Sequence, residues 1–211
     1  KGLDVETKMG EEMLARRQAD VDNVAREVEQ RGRKGLAIAG DVMDDVVIPA
    51  ALDRVVSELG GIDIMVNNAG GNLDRLQHPL PDITMQKWDE QISLNLRHKF
   101  YGSQQAARRM KDGGRIINIV SMAALRPSPG FGAYSTANAA AIAMMRTLAV
   151  ELGPRNITVN CIAPGVVFTE MLSETMRMDE RGVEQTFASS IPLGRVGSAE
   201  DVAAAAIFFA S

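Results

Sequence analysis

IDIMVNNAGG, residues 62–71, is the stretch on which the fold turns. Apart from Asp63 it starts as an apolar strand, read as buried on both faces, then changes abruptly into asparagine, alanine and glycine. A strand ending this way offers small and polar groups at its carboxyl edge, where glycine lets a ligand come close to the backbone.

The same alternation recurs on either side. Upstream, an amphipathic helix is expected from Ala19 to about Arg31, a short strand at LAIAG (36–40) and a second helix over 48–61, closed by glycines. Downstream, a long helical pattern runs from Thr84 to Met110, and GGRIINIVS (113–121) reads as a strand. An alanine-rich helix follows over 132–153, then a fourth strand, NITVNCIAPG (156–165), and a last helix over Ala199 to Ala210. Apolar strands alternating with helices of this length predict an α/β fold: a doubly wound, Rossmann-like parallel sheet between two helical layers, α/β/α. Residues 1–211 read as a single domain, with 1–12 irregular and without repeat or linker.

Composition narrows the function. A formal charge of −4, with acids and bases interleaved, leaves no basic footprint for nucleic acid or an anionic membrane. Cys161 is the one cysteine, which excludes an internal disulfide and a cysteine-rich zinc site and suits a reducing, cytoplasmic setting. His78 and His98 lack ligand spacing, so no metal is expected. No run reaches the length of a membrane span.

In a sheet of this kind the ligand lies beyond the carboxyl ends of the strands. Those ends read GDV, NNAGG, SMAAL and APGVVFTE. Taken singly, each is a plausible turn: Asp41 a turn former, Ser121 a turn hydroxyl, Tyr134 an aromatic at a helix start. Their order and spacing are more specific. Asp41 and Val42 follow a strand, Asn67 to Gly70 read NNAG, Asn95 sits in a helix, Tyr134 stands thirteen residues after Ser121, and Pro164, Gly165 and Thr169 follow the last strand.

In this combination, from about Met13 to Ser211, the chain is similar to a classical short-chain dehydrogenase/reductase. The resemblance implies an NAD(P)-dependent oxidoreductase that interconverts a carbonyl and a secondary alcohol by hydride transfer. Ser121 would polarise the substrate oxygen and Tyr134 exchange its proton, supported by Asn95. Asp41 and Val42 would meet the adenine, while Asn68, Ala69 and Gly70 would pass along the ribose. Pro164, Gly165 and Thr169 would flank the nicotinamide. Arg16 and Arg17, at the expected end of the second strand, would favour the 2′-phosphate of NADP over NAD. Residues 170–190 would form a lid over a mainly apolar substrate pocket with Met122, Leu125 and Phe131. A homodimer or homotetramer is expected.

The pattern departs from the family in three places. The glycine-rich phosphate turn has no counterpart here, and the sequence stops at FFAS before the usual last strand, so the fold reads as incomplete at both ends. The third departure is Asn138, four residues after Tyr134, where the family has a lysine whose ammonium holds the nicotinamide ribose and favours the ionised tyrosine. Asparagine can still bond a ribose hydroxyl but supplies no charge, so turnover is expected to fall by roughly two powers of ten. Polyketide-type ketoreductases pair an asparagine here with a lysine at the helix-asparagine position, yet that position is still Asn95. Lys99 lies one turn further and could lean inward, though a helical lysine is ordinarily solvated. The alternative function is a catalytically weak or inactive member of the same fold, kept as a nucleotide-binding or oligomer-partner subunit.

Overall fold

The computed structural model describes residues 18–72, 78–126 and 128–211. The chain gathers into two compact units, residues 1–61 and 62–211. Arg16 and Arg17 lie outside the described residues.

In the first unit, residues 18–30 form helix α1, with Val21, Ala25 and Val28 half-buried along one stripe and Val24 exposed. Helix α2, Val47–Leu59, buries Ile48 and Leu52. Gly60 ends it at φ 92°, returning its N–H to Val56 O. The strand expected at 36–40 is not formed: these residues are half-buried or exposed and without ladder pairing. A strand exists through its hydrogen-bonded neighbour, and apolar composition alone does not supply one.

The second unit is built on three parallel strands in the order β1 (Ile64–Asn67), β2 (Arg115–Ile119) and β3 (Thr158–Ile162). Asn67 pairs with Asn118, and Asn118 with Cys161. The crossover from β1 to β2 runs through α3 (Met85–Ile92), a π-helical turn (Ser93–Arg97) and α4 (His98–Arg109). The single helix expected over 84–110 is therefore interrupted, by one of the insertions that redirect side chains within a helix. Helix α5 (Gly132–Leu152) links β2 to β3, burying Ala133, Ala137, Ala141 and Met145 at four-residue intervals. Two short helices follow, α6 (Glu170–Met176) and α7 (Glu180–Phe187). The last, α8 (Ala199–Ala210), starts at a capping box between Ser198 and Asp201.

Helices α4 and α5 cover the face of the sheet that carries Asn67 and Asn118. Asn67 Nδ2 donates to Ser103 Oγ on α4 and to Asn118 Oδ1, both at 3.0 Å. Asn118 Nδ2 reaches Met145 Sδ on α5 at 2.8 Å. Helix α8 packs on β2 and β3 from the other face, where Arg115 Nε donates to Ser211 O at 3.1 Å. The result is a helix–sheet–helix arrangement with all strand carboxyl ends on one edge.

Gly102 lets α4 come this close to β1. A Cβ there would collide with Asn67 Oδ1 and come within 3.1 Å of Met65 Cε. Gly102→Ala should therefore lower stability by about 1–3 kcal/mol, read as a lower denaturation midpoint with an unchanged slope.

Candidate active site

The carboxyl edge of the second unit opens into a cavity of about 920 Å³. Its walls come from the strand ends: Asn68, Gly71 and Asn72 after β1, Ser121 to Ala123 after β2, and Pro164 to Val167 after β3. Phe131 and Tyr134 enter from the start of α5, and Thr169, Leu172, Met176 and Phe187 from the segment over 169–187. Val202, Ala203 and Ala206 of α8 close one side. Arg126, at the exposed rim, is the one charged residue among those lining the cavity.

Ser121 leaves β2 in an extended conformation and caps the 3-10 turn Met122–Ala124 by accepting from Ala123 N at 3.1 Å. This commits a lone pair; among the described residues nothing accepts the hydroxyl hydrogen. Pro164 O accepts from Met122 N at 2.9 Å, holding the Ser121 turn to the segment after β3. Tyr134 stands in the first turn of α5, its ring edge-on to Phe131 with centroids 6.3 Å apart. Its hydroxyl has no partner among the described residues. Thr169 caps α6 by accepting from Leu172 N at 3.1 Å, which also leaves a hydroxyl hydrogen to donate. The cavity, which Ser128 also lines, thus gathers the Ser121, Tyr134 and Thr169 hydroxyls, all able to donate to a bound oxygen, in a mainly apolar surround.

Asn95 lies behind this wall, fully buried in the π-helical turn. Its Oδ1 accepts from Gly71 N at 3.0 Å and its Nδ2 donates to Gly71 O at 2.9 Å. Gln91 accepts from the same Nδ2 and donates to Asn72 Oδ1 at 2.8 Å. Together they clamp the turn after β1. Ala69 and Gly70 of that turn face this interior: Ala69 O accepts from Lys99 Nζ at 2.9 Å, and a Cβ on Gly70 would lie 3.0 Å from both Lys99 Nζ and Asn95 Oδ1.

Two positions, Lys99 and Leu125, differ from the sequence-based expectation. Lys99 is 1% exposed, not solvated, because α4 turns that face inward against the sheet. Asn138 is also 1% exposed, and its Nδ2 donates to Tyr134 O, 2.9 Å away in the preceding turn. Leu125 is 71% exposed and takes no part in the cavity, since the turn after Ser121 directs it outward. In the first unit, Asp41 and Val42 follow the extended segment, and Asp41 Oδ1 accepts from Met43 N at 2.9 Å in an Asx-type turn. The contribution of α8 to the cavity carries no motif, and the Asn118 and Ser103 links to Asn67 have no local signature either. No group of three His, Cys, Asp or Glu side chains among the described residues could hold a metal ion.

A protein-family model described as enoyl-(acyl carrier protein) reductase matches residues 8–211. With the parallel sheet and the hydroxyl-lined cavity at its carboxyl edge, this places the chain in the classical short-chain dehydrogenase/reductase family. The short-chain reductase protein NovJ of Streptomyces niveus is 38% identical over 203 residues, covering 94% of this chain and 76% of that protein. A short-chain dehydrogenase from Burkholderia cenocepacia J2315, solved in complex with NADP, superposes with a TM-score of 0.79 at 36% identity, covering 89% of this chain and 74% of that one. A 7α-hydroxysteroid dehydrogenase complexed with NADH and 7-oxo glycochenodeoxycholic acid gives a TM-score of 0.82 at 33% identity, with 92% and 74% covered.

His98 is buried beside Lys99, and neither ring nitrogen makes a hydrogen bond of full geometry. Burial, then the Lys99 charge, lowers its pKa from 6.5 to about 4, while the backbone of Leu94, Ser93 and Ala69 pulls weakly the other way. Between these two values the unfolded chain binds a proton that the folded protein refuses, so stability falls as pH drops from 6.5 towards 4. His98→Leu should remove that part of the acid sensitivity, up to about 3 kcal/mol, seen by comparing denaturation midpoints of both proteins at pH 7 and near pH 4.

Proposed function

We propose that the protein interconverts a carbonyl and a secondary alcohol on a mainly apolar substrate, with NADP or NAD as the hydride carrier. The observation that carries this reading is the convergence of the Ser121 and Tyr134 hydroxyls, each with a hydrogen to donate, on one cavity at the carboxyl edge of a parallel sheet. Ser121 donates a hydrogen bond to the substrate oxygen. Tyr134 gives that oxygen a proton as it becomes a hydroxyl, or takes the proton back in the oxidation direction. Pro164 and Gly165 shape the wall for a nicotinamide, and the Thr169 hydroxyl hydrogen suits its carboxamide oxygen. A nicotinamide cofactor, when bound there, would supply or receive the hydride at the carbon that carries this oxygen.

Asn68, Ala69 and Gly70 are assigned the cofactor ribose side, Asp41 and Val42 the adenine, and Arg16 and Arg17 the preference for NADP. Relatives with NADP and with NADH bound support a dinucleotide in either form. The segment over 170–190, which contributes Leu172, Met176 and Phe187 to the cavity wall, is assigned the role of a substrate lid. A homodimer or homotetramer and a cytoplasmic setting complete the reading. The exposed Phe100 on α4 and Val150 on α5 suit an association between copies. No helix among the described residues is long and apolar enough to cross a membrane.

Full-length protein assayed against a panel of apolar ketones with NADPH and NADH should turn over, and Tyr134→Phe should lower kcat/KM by about a hundredfold or more while cofactor binding, followed by fluorescence, persists. A second reading is favoured by one feature, the neutral residue at 138: a nucleotide-binding subunit of low activity. Cofactor binding without turnover of any panel member would select it.

A further inference from the structure

Lys99 is an anomaly the family pattern does not absorb. A buried ammonium has three hydrogens to place, and among the described residues only Ala69 O receives one. Burying a cation so sparsely compensated costs stability, which argues that the charge itself is used.

Its direction follows from the packing of the two crossover helices. Both connect neighbouring parallel strands, so α4 and α5 run the same way, antiparallel to the sheet. Ser103 Oγ and Met145 Sδ meet at 3.9 Å and set the level of one helix against the other. Four residues back along α4 is Lys99. The same step back along α5 is Ala141, with Asn138 about 4.5 Å beyond it. Long helical side chains lean toward the helix amino end, here the edge of the sheet that holds the cavity. Ala137 and Ala141, both fully buried, present only methyl groups on this stretch of α5. The ammonium ends beneath Gly70, on the interior side of the turn whose Asn68 and Gly71 line the cavity.

Among the described residues, His98 and Cys161 are the titratable groups that interact electrostatically with it, and Arg146 on α5 acts on the Cys161 thiol from an exposed position. His98, on the same helix, is neutral at pH 7. The Cys161 thiol on β3 is pushed up to about 11, chiefly by burial, and is neutral as well. Burial lowers the Lys99 pKa to about 8, which leaves the ammonium protonated at neutral pH.

We propose that Lys99 supplies from α4 the positive charge that the family keeps on α5 four residues after the tyrosine, with Asn138 as the neutral partner that makes this placement possible. Lys99 is a positioning residue: it holds the Ala69 carbonyl and places a fixed positive charge behind the cofactor wall, without touching substrate. The inference rests on the function proposed above, and its test separates the two.

The test is a charge-exchange cycle in the full-length protein: Lys99→Met, Asn138→Lys and the double variant, read by melting temperature, NADPH affinity from fluorescence, and kcat. Lys99→Met should weaken NADPH binding and lower kcat by about tenfold or more. Asn138→Lys alone sets two ammonium groups in one interior, so it should lower the melting temperature by about 2–4 °C or more and fail to raise kcat. The double variant should recover NADPH affinity and kcat relative to Lys99→Met. Unchanged NADPH affinity in a folded Lys99→Met protein, or purely additive effects in the double variant, would overturn the proposal. Should Lys99→Met not fold, Asn138→Lys decides alone: an unchanged or raised melting temperature, or a gain in kcat, counts against Lys99 as the resident cation. Absence of turnover in the unmodified protein, with coupling in NADPH affinity and melting intact, counts against the proposed reaction and leaves the cation assigned.

Discussion

The second unit depends on one side-chain amide. Asn67 closes β1 by donating to Asn118 on β2 and to Ser103 on α4, so a single buried group ties two strands and a helix together at the edge where the cavity begins. Both amide hydrogens are used, and in an apolar interior such a satisfied network resists displacement because no water stands ready to replace it. Gly102 serves the same constraint, since any side chain at that position would occupy the space of the Asn67 oxygen. The turn after β1 leaves from a fixed point, and Asn95 and Gln91 then hold its next residues from behind.

This division of labour leaves the hydroxyls of the cavity open. The interior amides hold the backbone turns, while Ser121, Thr169 and Tyr134 keep hydrogens available for a bound oxygen. Asn95 accordingly acts from the interior, bonded through its amide to Gly71 and Gln91. Asn138 gives one amide hydrogen to the carbonyl of Tyr134 and so braces the first turn of α5.

The position of charge is the distinctive trait of the site. On the placement proposed above, a neutral residue at 138 and a buried lysine at 99 share one interior, the space between α4 and α5. Two ammonium groups would repel each other there at a low local dielectric, whereas one ammonium beside a neutral amide is tolerated. His98 stays uncharged because of burial and then the Lys99 charge, whereas the Cys161 thiol stays uncharged through burial alone, against the pull of Arg146 and Lys99.

The sequence by itself determined the class of fold and most of the cavity wall. Alternating apolar runs required a parallel sheet, and the order of NNAG, Ser121, Tyr134, Pro164 and Thr169 marked the residues at its carboxyl edge. Local chemistry is legible wherever a strand end or a helix start carries the group. Whether 36–40 becomes a strand depends on a partner strand, and the π-helical turn at Ser93–Arg97 depends on what its residues clamp. The direction in which Leu125, Asn138 and Lys99 point depends on helices brought together from distant parts of the chain. Helical periodicity placed Lys99 on α4 but could not say that its face turns toward the sheet. Only the packing of α4 against β1 and α5 decided that, because burial belongs to an interface and not to a residue.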